Sequence, residues 1–424
     1  MTLTSAECVA TIVDPAAHAD PSRLYPAYAW LRKHDPIARA ELPGFDPFHV
    51  VTRHADIQEI SKDNRLFPYG DLPSTLATSE GVVATREAKA AGRPLLYTLV
   101  QMDEPDHMKY RTLTQAWFMP ANLRKLEGRI REIARESVAR MESLGGRCDF
   151  VNEVALHYPL RVIMEILGVP AEDEPRMLQL TQELFGATDP DLARGGENQT
   201  DEARGLALQA VFADFFNYFN VLIEDRRARP RDDVASLVAN AQIDGQQISA
   251  FDAISYYVII ATAGHDTTSS STAGAMWALA ERPGELAKVK ANPALIPGLV
   301  DESIRWTTPV RHFMRSAAQD VTVAGQAFKQ GDWFMLCYPS ANRDEAVFEA
   351  PDEFRVDRSP NKHLAFGYGA HLCLGQHLAK MEMRILWEEL LPRLQSVEID
   401  GDAKLSHASF VNGPKTLPIR YVLA

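Results

Sequence analysis

The sequence predicts a mainly helical α+β protein, on two observations. Long stretches carry apolar residues at helical spacing, and the longest, opening at Ser249, stays apolar to about Ala280. The β-like pieces are short and gather toward both ends, without the strand–helix alternation that builds a parallel sheet.

The chain starts loosely. Residues 21–33 then read as an amphipathic helix with Leu24, Tyr28 and Leu31 on one face. Residues 37–40 and 48–52 read as strands around Pro43-Gly44-Phe45-Asp46-Pro47, and 54–62 as a helix. The stretch 64–99 is long and irregular, with several Pro and Gly, which in a compact chain marks a functional lid. The next helix begins in 103–111, with acids and Pro105 at its proper end, and places His107 and Arg111 on one face. In the expected helix 122–141, Arg124, Lys125, Arg129, Arg131, Arg135 and Arg140 outnumber Glu127, Glu132 and Glu136. That run is either a solvated face or a dock for an acidic partner. Further helices are expected at 151–168, 173–184 and 201–227, the last two separated by a Gly/Asp/Pro-rich loop, 186–198.

Ser249-Ala250-Phe251-Asp252 is a capping box that opens the long apolar helix. Its middle holds Gly264, Asp266, Thr267 and Thr268, and polar groups there need a reason. Back-bonding hydroxyls would merely bend the helix. An acid and an alcohol at a bulge, beside a cavity opened by Gly264, would instead deliver protons to a bound ligand. Residues 296–306 form another helix, where Glu302 and Arg305 can make a bidentate ion pair. Strands are expected at 312–318, 321–323 and 333–337, followed by a meander over 339–358. A helix after Cys373 runs to 394, and β-like pieces at 397–400, 405–410 and 417–422 end the chain.

Between meander and helix lies Phe366-Gly367-Tyr368-Gly369-Ala370-His371-Leu372-Cys373-Leu374-Gly375. Gly367 and Gly369 allow positive φ and close approach to a flat object. Cys373 sits at a helix entry, where free amides and the dipole favour a thiolate, a suitable axial ligand for haem iron. Taken alone, the loop is equally consistent with a buried structural cysteine. A zinc site through His371, Cys373 and His377 is another reading. A dinucleotide loop would need glycine at Leu372.

The chain has 424 residues, four cysteines without C-x-x-C pairing, and a net charge of -13. Length alone suggests two or three domains. The cysteine pattern fits a reducing cytoplasm, and the charge argues against nucleic acid or anionic membrane as partners. No signal peptide or run of twenty apolar residues is visible.

Phe366-Gly367-x-Gly369-x-His371-x-Cys373-x-Gly375, Ala263-Gly264-x-Asp266-Thr267-Thr268 and Glu302-x-x-Arg305 together resemble the cytochrome P-450 family of haem-thiolate monooxygenases. The resemblance spans essentially the whole chain. It implies one triangular, mostly helical domain over residues 1–424, with a small β-rich portion, and haem b (iron protoporphyrin IX) as cofactor. Cys373 resembles the thiolate ligand of the iron, and Phe366 the aromatic that shields the sulfur. His107, Arg111, Arg315 and His371 match the positions that hold the propionates, while Ala263, Gly367 and Gly375 border the haem. Asp266 and Thr267 resemble the catalytic acid–alcohol relay. Glu302, Arg305 and Arg358 resemble a structural ion-pair triad.

Within the family the sequence looks most like the bacterial α-terpineol hydroxylase branch. The expected pocket walls are Tyr97, Thr98, Leu99, Val100, Leu184, Phe185, Ile259, Ala263, Thr267, Val310, Phe313, Phe410 and Val411. Nearly all are apolar, which suits O2 and a small neutral monoterpenoid or alkyl-aromatic hydrocarbon. Without a fused electron-transfer segment, electrons are expected from a separate 2Fe–2S ferredoxin and its NAD(P)H-dependent reductase, docking near Lys109, Arg124 or Lys125. A peroxygenase would carry Arg-Pro in place of Asp266-Thr267, and a non-catalytic haem carrier would leave the relay pair without purpose.

Overall fold

The computed structural model describes residues 3–92, 94–194, 196 and 200–424, without the side chains of Asp201 and Glu202. Part of the expected 186–198 loop (Gly195, Glu197, Asn198) and Arg93 of the 64–99 stretch lie outside the described residues.

Helix dominates, arranged around Ala250–Glu281, a 32-residue rod. Ser249 caps it by accepting from the Asp252 amide. Against it pack His157–Leu167, Asp201–Ala228, Ile296–Thr307 and Gln376–Leu390. Asp201–Ala228 contains a segment long and apolar enough to cross a membrane by length and composition. One of its faces is buried, however, with Phe219 edge-on against Tyr257 of the rod.

A four-stranded sheet, ordered Ile37–Ala40, Phe48–Val51, Trp333–Cys337 and His312–Ser316, joins an N-terminal hairpin to the C-terminal half. The middle pair is parallel and the outer pairs are antiparallel. A second sheet pairs Leu394–Ile399 with Pro418–Leu423, and the latter with Arg147–Asp149.

Several expected elements are corrected. The loose start is a helix, Ser5–Val13, held by a capping box in which Thr4 and Glu7 exchange hydrogen bonds. The irregular 64–99 stretch contains a helix, Ser79–Ala90, capped by Thr78. The expected helix 122–141 is three pieces: Pro120–Leu123, a tight turn at Arg124–Leu126, and Glu127–Ser143. The helix after Cys373 ends at Leu390, because Pro392 cannot continue it. Of the expected strand 405–410 only Leu405 pairs, within Lys404–Leu405, and the remainder is a loop. Strand Gln326–Phe328, pairing with Val321–Val323, is an additional element.

The rod carries no bulge at Gly264: its helical pattern is unbroken. Part of its polar middle is satisfied locally, Thr262, Thr267 and Ser271 each donating to the carbonyl four residues back. Gly264 borders the cavity described below, but its missing Cβ faces helix His157–Leu167. A Cβ there would lie 2.7 Å from Ile163 Cδ1, so the glycine lets helix His157–Leu167 approach closely.

Candidate active site

The loop before Gln376–Leu390 turns back on itself, the Cys373 amide donating to the Phe366 carbonyl at 2.9 Å. Gly367 and Gly369 have φ of 74° and 75°. At Gly369 a Cβ would stand 2.2 Å from the Ser61 carbonyl oxygen, so only glycine fits. The amides of Gly375 and Gln376 hydrogen-bond to Cys373. Burial raises the thiol, while those amides and Arg111 oppose the shift.

Between this loop and the rod lies a cavity of about 230 Å³. The loop side supplies Phe366, Gly367, His371, Cys373 and Gly375, and the rod supplies Ile259, Ala263 and Thr267. Leu99, Val100, Val310 and Phe313 complete the apolar walls. All charge except Glu382 sits at one end, where His107, Arg111, Arg315 and His371 converge.

Arg111 and Arg315 make that end cationic, while burial lowers both histidines. His107 is fully buried, its ring centroid 4.1 Å from that of His371, and neither of its ring nitrogens makes a hydrogen bond. Its Nδ1 lies 3.5 Å from Glu104 Oε1. Arg111 donates to the Leu372 carbonyl at 2.8 Å and Arg315 to that of Met314 at 2.9 Å. Arg315 also stands 3.9 Å above the Tyr69 ring. Among the described residues neither arginine has a carboxylate partner. Burial and the charges of Arg315, His107 and Arg111 push His371 down to about 2. Such a cluster calls for anions, and two carboxylates would satisfy it.

The remaining expected wall residues fall elsewhere. Tyr97 and Thr98 do not border the cavity; Tyr97 instead donates its hydroxyl to Asp106 at 3.0 Å, tying its stretch to the His107 helix. Leu184 packs into the main core. Phe185 and Phe410 form a second layer, with Phe410 at 5.5 Å from Phe313 and 6.3 Å from Phe185. Val411 makes a single β-bridge to Val310 behind the wall.

Asp266 also departs from expectation. Thr267 borders the cavity but Asp266 does not; its Oδ2 lies 3.4 Å from His265 Nδ1 and has no hydrogen bond. Successive helical residues point about 100° apart, and here the turn brings Thr267 and Thr268 to the cavity and leaves Asp266 outside it.

Behind the site, Glu302 is fully buried and accepts from Arg305 twice at 2.8 Å and from Arg358 at 3.0 and 3.1 Å. Asn361 and the Arg355 amide add two more donors. These residues lock helix Ile296–Thr307 to the meander. Wall residues that the sequence reading missed include Tyr69, Phe118, Tyr256, Thr268, Ser271 and Glu382. Tyr69 lay in the 64–99 stretch and Thr268 and Ser271 in the polar middle of the long helix, both already singled out.

The cytochrome P-450 family profile matches residues 294–417. Over 98% of its length the chain is 49% identical to cytochrome P-450-terp of Pseudomonas sp, covering 97% of that relative. The chain belongs to the cytochrome P-450 family. It is 31% identical to linalool 8-monooxygenase of Pseudomonas putida, over 92% of this chain and 94% of the other. Among solved structures, CYP108D1 from Novosphingobium aromaticivorans aligns over 100% of both chains with a TM-score of 0.90 at 44% identity. The Mycobacterium marinum cytochrome P-450 CYP268A2, in complex with pseudoionone, aligns over 97% of both at a TM-score of 0.87 and 29% identity.

Membership makes the chain a monooxygenase with haem b as cofactor, acting with O2 on a hydrophobic substrate. The residues present fit that group: a cysteine bordering the cavity, and His107 beside two arginines that have no carboxylate partner among the described residues. Bound haem supplies oxygen activation, with a thiolate ligand favouring O–O cleavage.

Proposed function

We propose that this monooxygenase hydroxylates a small neutral hydrocarbon, a monoterpenoid or alkyl-aromatic, with electrons from a 2Fe–2S ferredoxin and its NAD(P)H-dependent reductase in the cytoplasm. One observation carries the substrate reading: among the described residues, Glu382 is the one charged side chain bordering the cavity apart from the His107, Arg111, Arg315 and His371 group, and Val100, Ile259, Val310 and Phe313 supply apolar wall. Such walls reward burial at about 25 cal/mol per Å² and would leave a carboxylate or ammonium unpaired. The names of two relatives, cytochrome P-450-terp and linalool 8-monooxygenase, support it.

In this reading Cys373 ligates the iron, held by the Gly375 and Gln376 amides, and Phe366 covers the sulfur. His107, Arg111, Arg315 and His371 bind the propionates. Thr267 Oγ1, which donates to the Ala263 carbonyl at 2.7 Å, turns to hold and pass a proton. Asp266 serves from outside the cavity, through water. Glu302, Arg305 and Arg358 shape the fold rather than react.

Docking of an acidic ferredoxin falls to Arg124 and Lys125. Both are exposed and in no ion pair among the described residues, and their segment packs near the cysteine helix. Lys109 is already bonded to Asp244. Arg129, Arg131, Arg135 and Arg140 are likewise committed to glutamates.

The test is a spectral titration of the haem-loaded protein with monoterpenes, alkylbenzenes, fatty acids and amines, read as the low-to-high spin shift. Neutral compounds of roughly ten carbons should give the largest shifts. A shift confined to the charged ligands would overturn the substrate reading. Reversing Arg124 and Lys125 to glutamate should slow electron transfer at low salt, and an unchanged rate would overturn the docking face.

A further inference from the structure

Behind the apolar wall, a buried ion pair pins together two segments far apart in sequence. Asp189, in the turn after helix Glu174–Phe185, is fully buried, and the Lys415 side chain is nearly so. Lys415 Nζ donates to Asp189 Oδ1 at 3.0 Å and Oδ2 at 3.1 Å, and to Asp191 at 2.6 Å. The Asp189 carboxylate also accepts from the amides of Asp191 at 2.9 Å and His407 at 2.7 Å. Thr188 adds a hydroxyl bond to the His407 carbonyl, at 2.7 Å. His407 and Lys415 stand on the two arms of one loop, closed where Leu405 pairs with Pro414. Its tip carries Phe410 and Val411.

That loop backs the cavity. The Arg311 amide donates to the Phe410 carbonyl at 2.8 Å and the Asn412 amide to that of Pro309 at 2.9 Å, flanking the Val310–Val411 bridge. These bonds seat the tip against the wall but do not reach Phe185. Phe185 ends its helix, and the turn after it is tight, since a Cβ at Gly186 would stand 2.4 Å from Leu192 Cβ. Thr188 and Asp189 join that turn to the loop. Phe185 then lies 6.3 Å from Phe410, which lies 5.5 Å from Phe313 at the cavity. Three aromatic rings thus lead from the helix to the cavity.

Lysine and aspartate are almost never fully buried unless paired. A buried pair gives little net stability over apolar side chains of similar volume, because desolvation offsets the attraction. What this one gives is a fixed geometry, with a lysine and two backbone amides all converging on one carboxylate. Packed interiors pass such a constraint on to the neighbouring side chains.

We propose that the Asp189–Lys415 pair sets the size limit of the substrate. It holds Phe185 and Phe410 behind Phe313, so the wall does not retreat to admit a longer hydrocarbon. Neither charged residue borders the cavity, so both are positioning residues. The proposal deepens the small-hydrocarbon reading and rests on it for the choice of ligands. An apolar pocket distinguishes hydrocarbons by size alone, at about 10- to 200-fold per methylene, and only as well as its walls stay in place.

The test compares haem-loaded wild type with Lys415→Met, Asp189→Asn, Lys415→Arg, which keeps the cation, and Phe410→Ala, which thins the second layer without touching a charge. Each is titrated with one monoterpene and one sesquiterpene, and the spin shift gives two dissociation constants. Wild type should bind the monoterpene about 10²-fold more tightly, and Lys415→Met and Asp189→Asn should narrow that ratio about tenfold. Phe410→Ala should narrow it in the same sense, and Lys415→Arg should keep the wild-type ratio. A role in folding alone would weaken both ligands alike and leave the ratio unmoved. An unchanged ratio in Lys415→Met and Asp189→Asn, or in Phe410→Ala should the charge variants not fold, would overturn the proposal. A wild type that binds both terpenes equally would do the same. A wild type that shifts with neither terpene refutes the substrate reading itself, which separates the two failures.

Discussion

Replacing Glu302 by glutamine deletes one negative charge from a site with no access to water. The Glu302, Arg305 and Arg358 side chains are nearly or fully buried, so the two guanidinium charges depend on that one carboxylate. Losing one partner of a buried ion pair costs about 3–5 kcal/mol, most of it the stranded charge. Here the cost sits near the lower bound. Arg305 keeps the carbonyls of Asn342, Pro351 and Glu353, and Arg358 keeps those of Glu349, Ala350 and Glu353. Each guanidinium therefore stays hydrogen-bonded even when its charge is unbalanced. The expected loss is about 3 kcal/mol, roughly a hundredfold in the folding equilibrium. Urea titration followed by far-ultraviolet circular dichroism measures it, with haem absorbance reporting the site in parallel. Haem release should shift to lower urea together with the fold, because the ion pairs lie behind the site. A glutamine variant within about 0.5 kcal/mol of wild type would refute the view that the carboxylate holds helix to meander.

Three further outcomes follow from the same geometry. His107→Ala should weaken haem retention about 10- to 100-fold, the worth of one or two hydrogen bonds to a charged group, read by titrating haem into the stripped protein; unchanged affinity would remove His107 from the site. Thr267→Ala should leave substrate binding intact while less of the NADH consumed appears as product and more as peroxide, and unchanged coupling would remove its proton role. Burial lowers His312 to about 4, and its neutral ring accepts from the Leu76 amide while facing the Ser409 carbonyl. Because the folded value lies below the unfolded one of about 6.5, this stability is complete above pH 6.5 and is lost as pH falls toward 4, about 3 kcal/mol in all. His312→Gln should flatten the stability–pH curve in that window, and an unchanged slope would contradict the assignment.

What could be read in the sequence was what local chemistry dictates. The glycines around Cys373, the Ser249 cap and the Glu302–Arg305 spacing each follow from one stretch of chain, and each has the local geometry its pattern implies. The cavity wall did not follow, because it is assembled from distant segments. Tyr69 comes from a stretch that reads as irregular, and Glu382 from the helix after Cys373, where nothing in the sequence marks it as a wall residue. Adjacency to Thr267 does not say which neighbour shares its surface, and it is Thr268 rather than Asp266 that does. The capping box at Thr4–Glu7 was legible but lay in a segment taken for a tail. Phe185 and Phe410 were correctly seen as apolar and near the site, yet sequence has no signal that separates a wall from the layer behind it.

The central claim is that Cys373 makes this cavity a haem-thiolate site. The direct measurement is the absorption spectrum of the reduced protein under carbon monoxide, for wild type and for Cys373→Ala. Wild type should absorb near the wavelength from which the family takes its name, and the alanine variant should lose that band while keeping its far-ultraviolet circular dichroism. A band that survives in the folded Cys373→Ala variant would contradict the account.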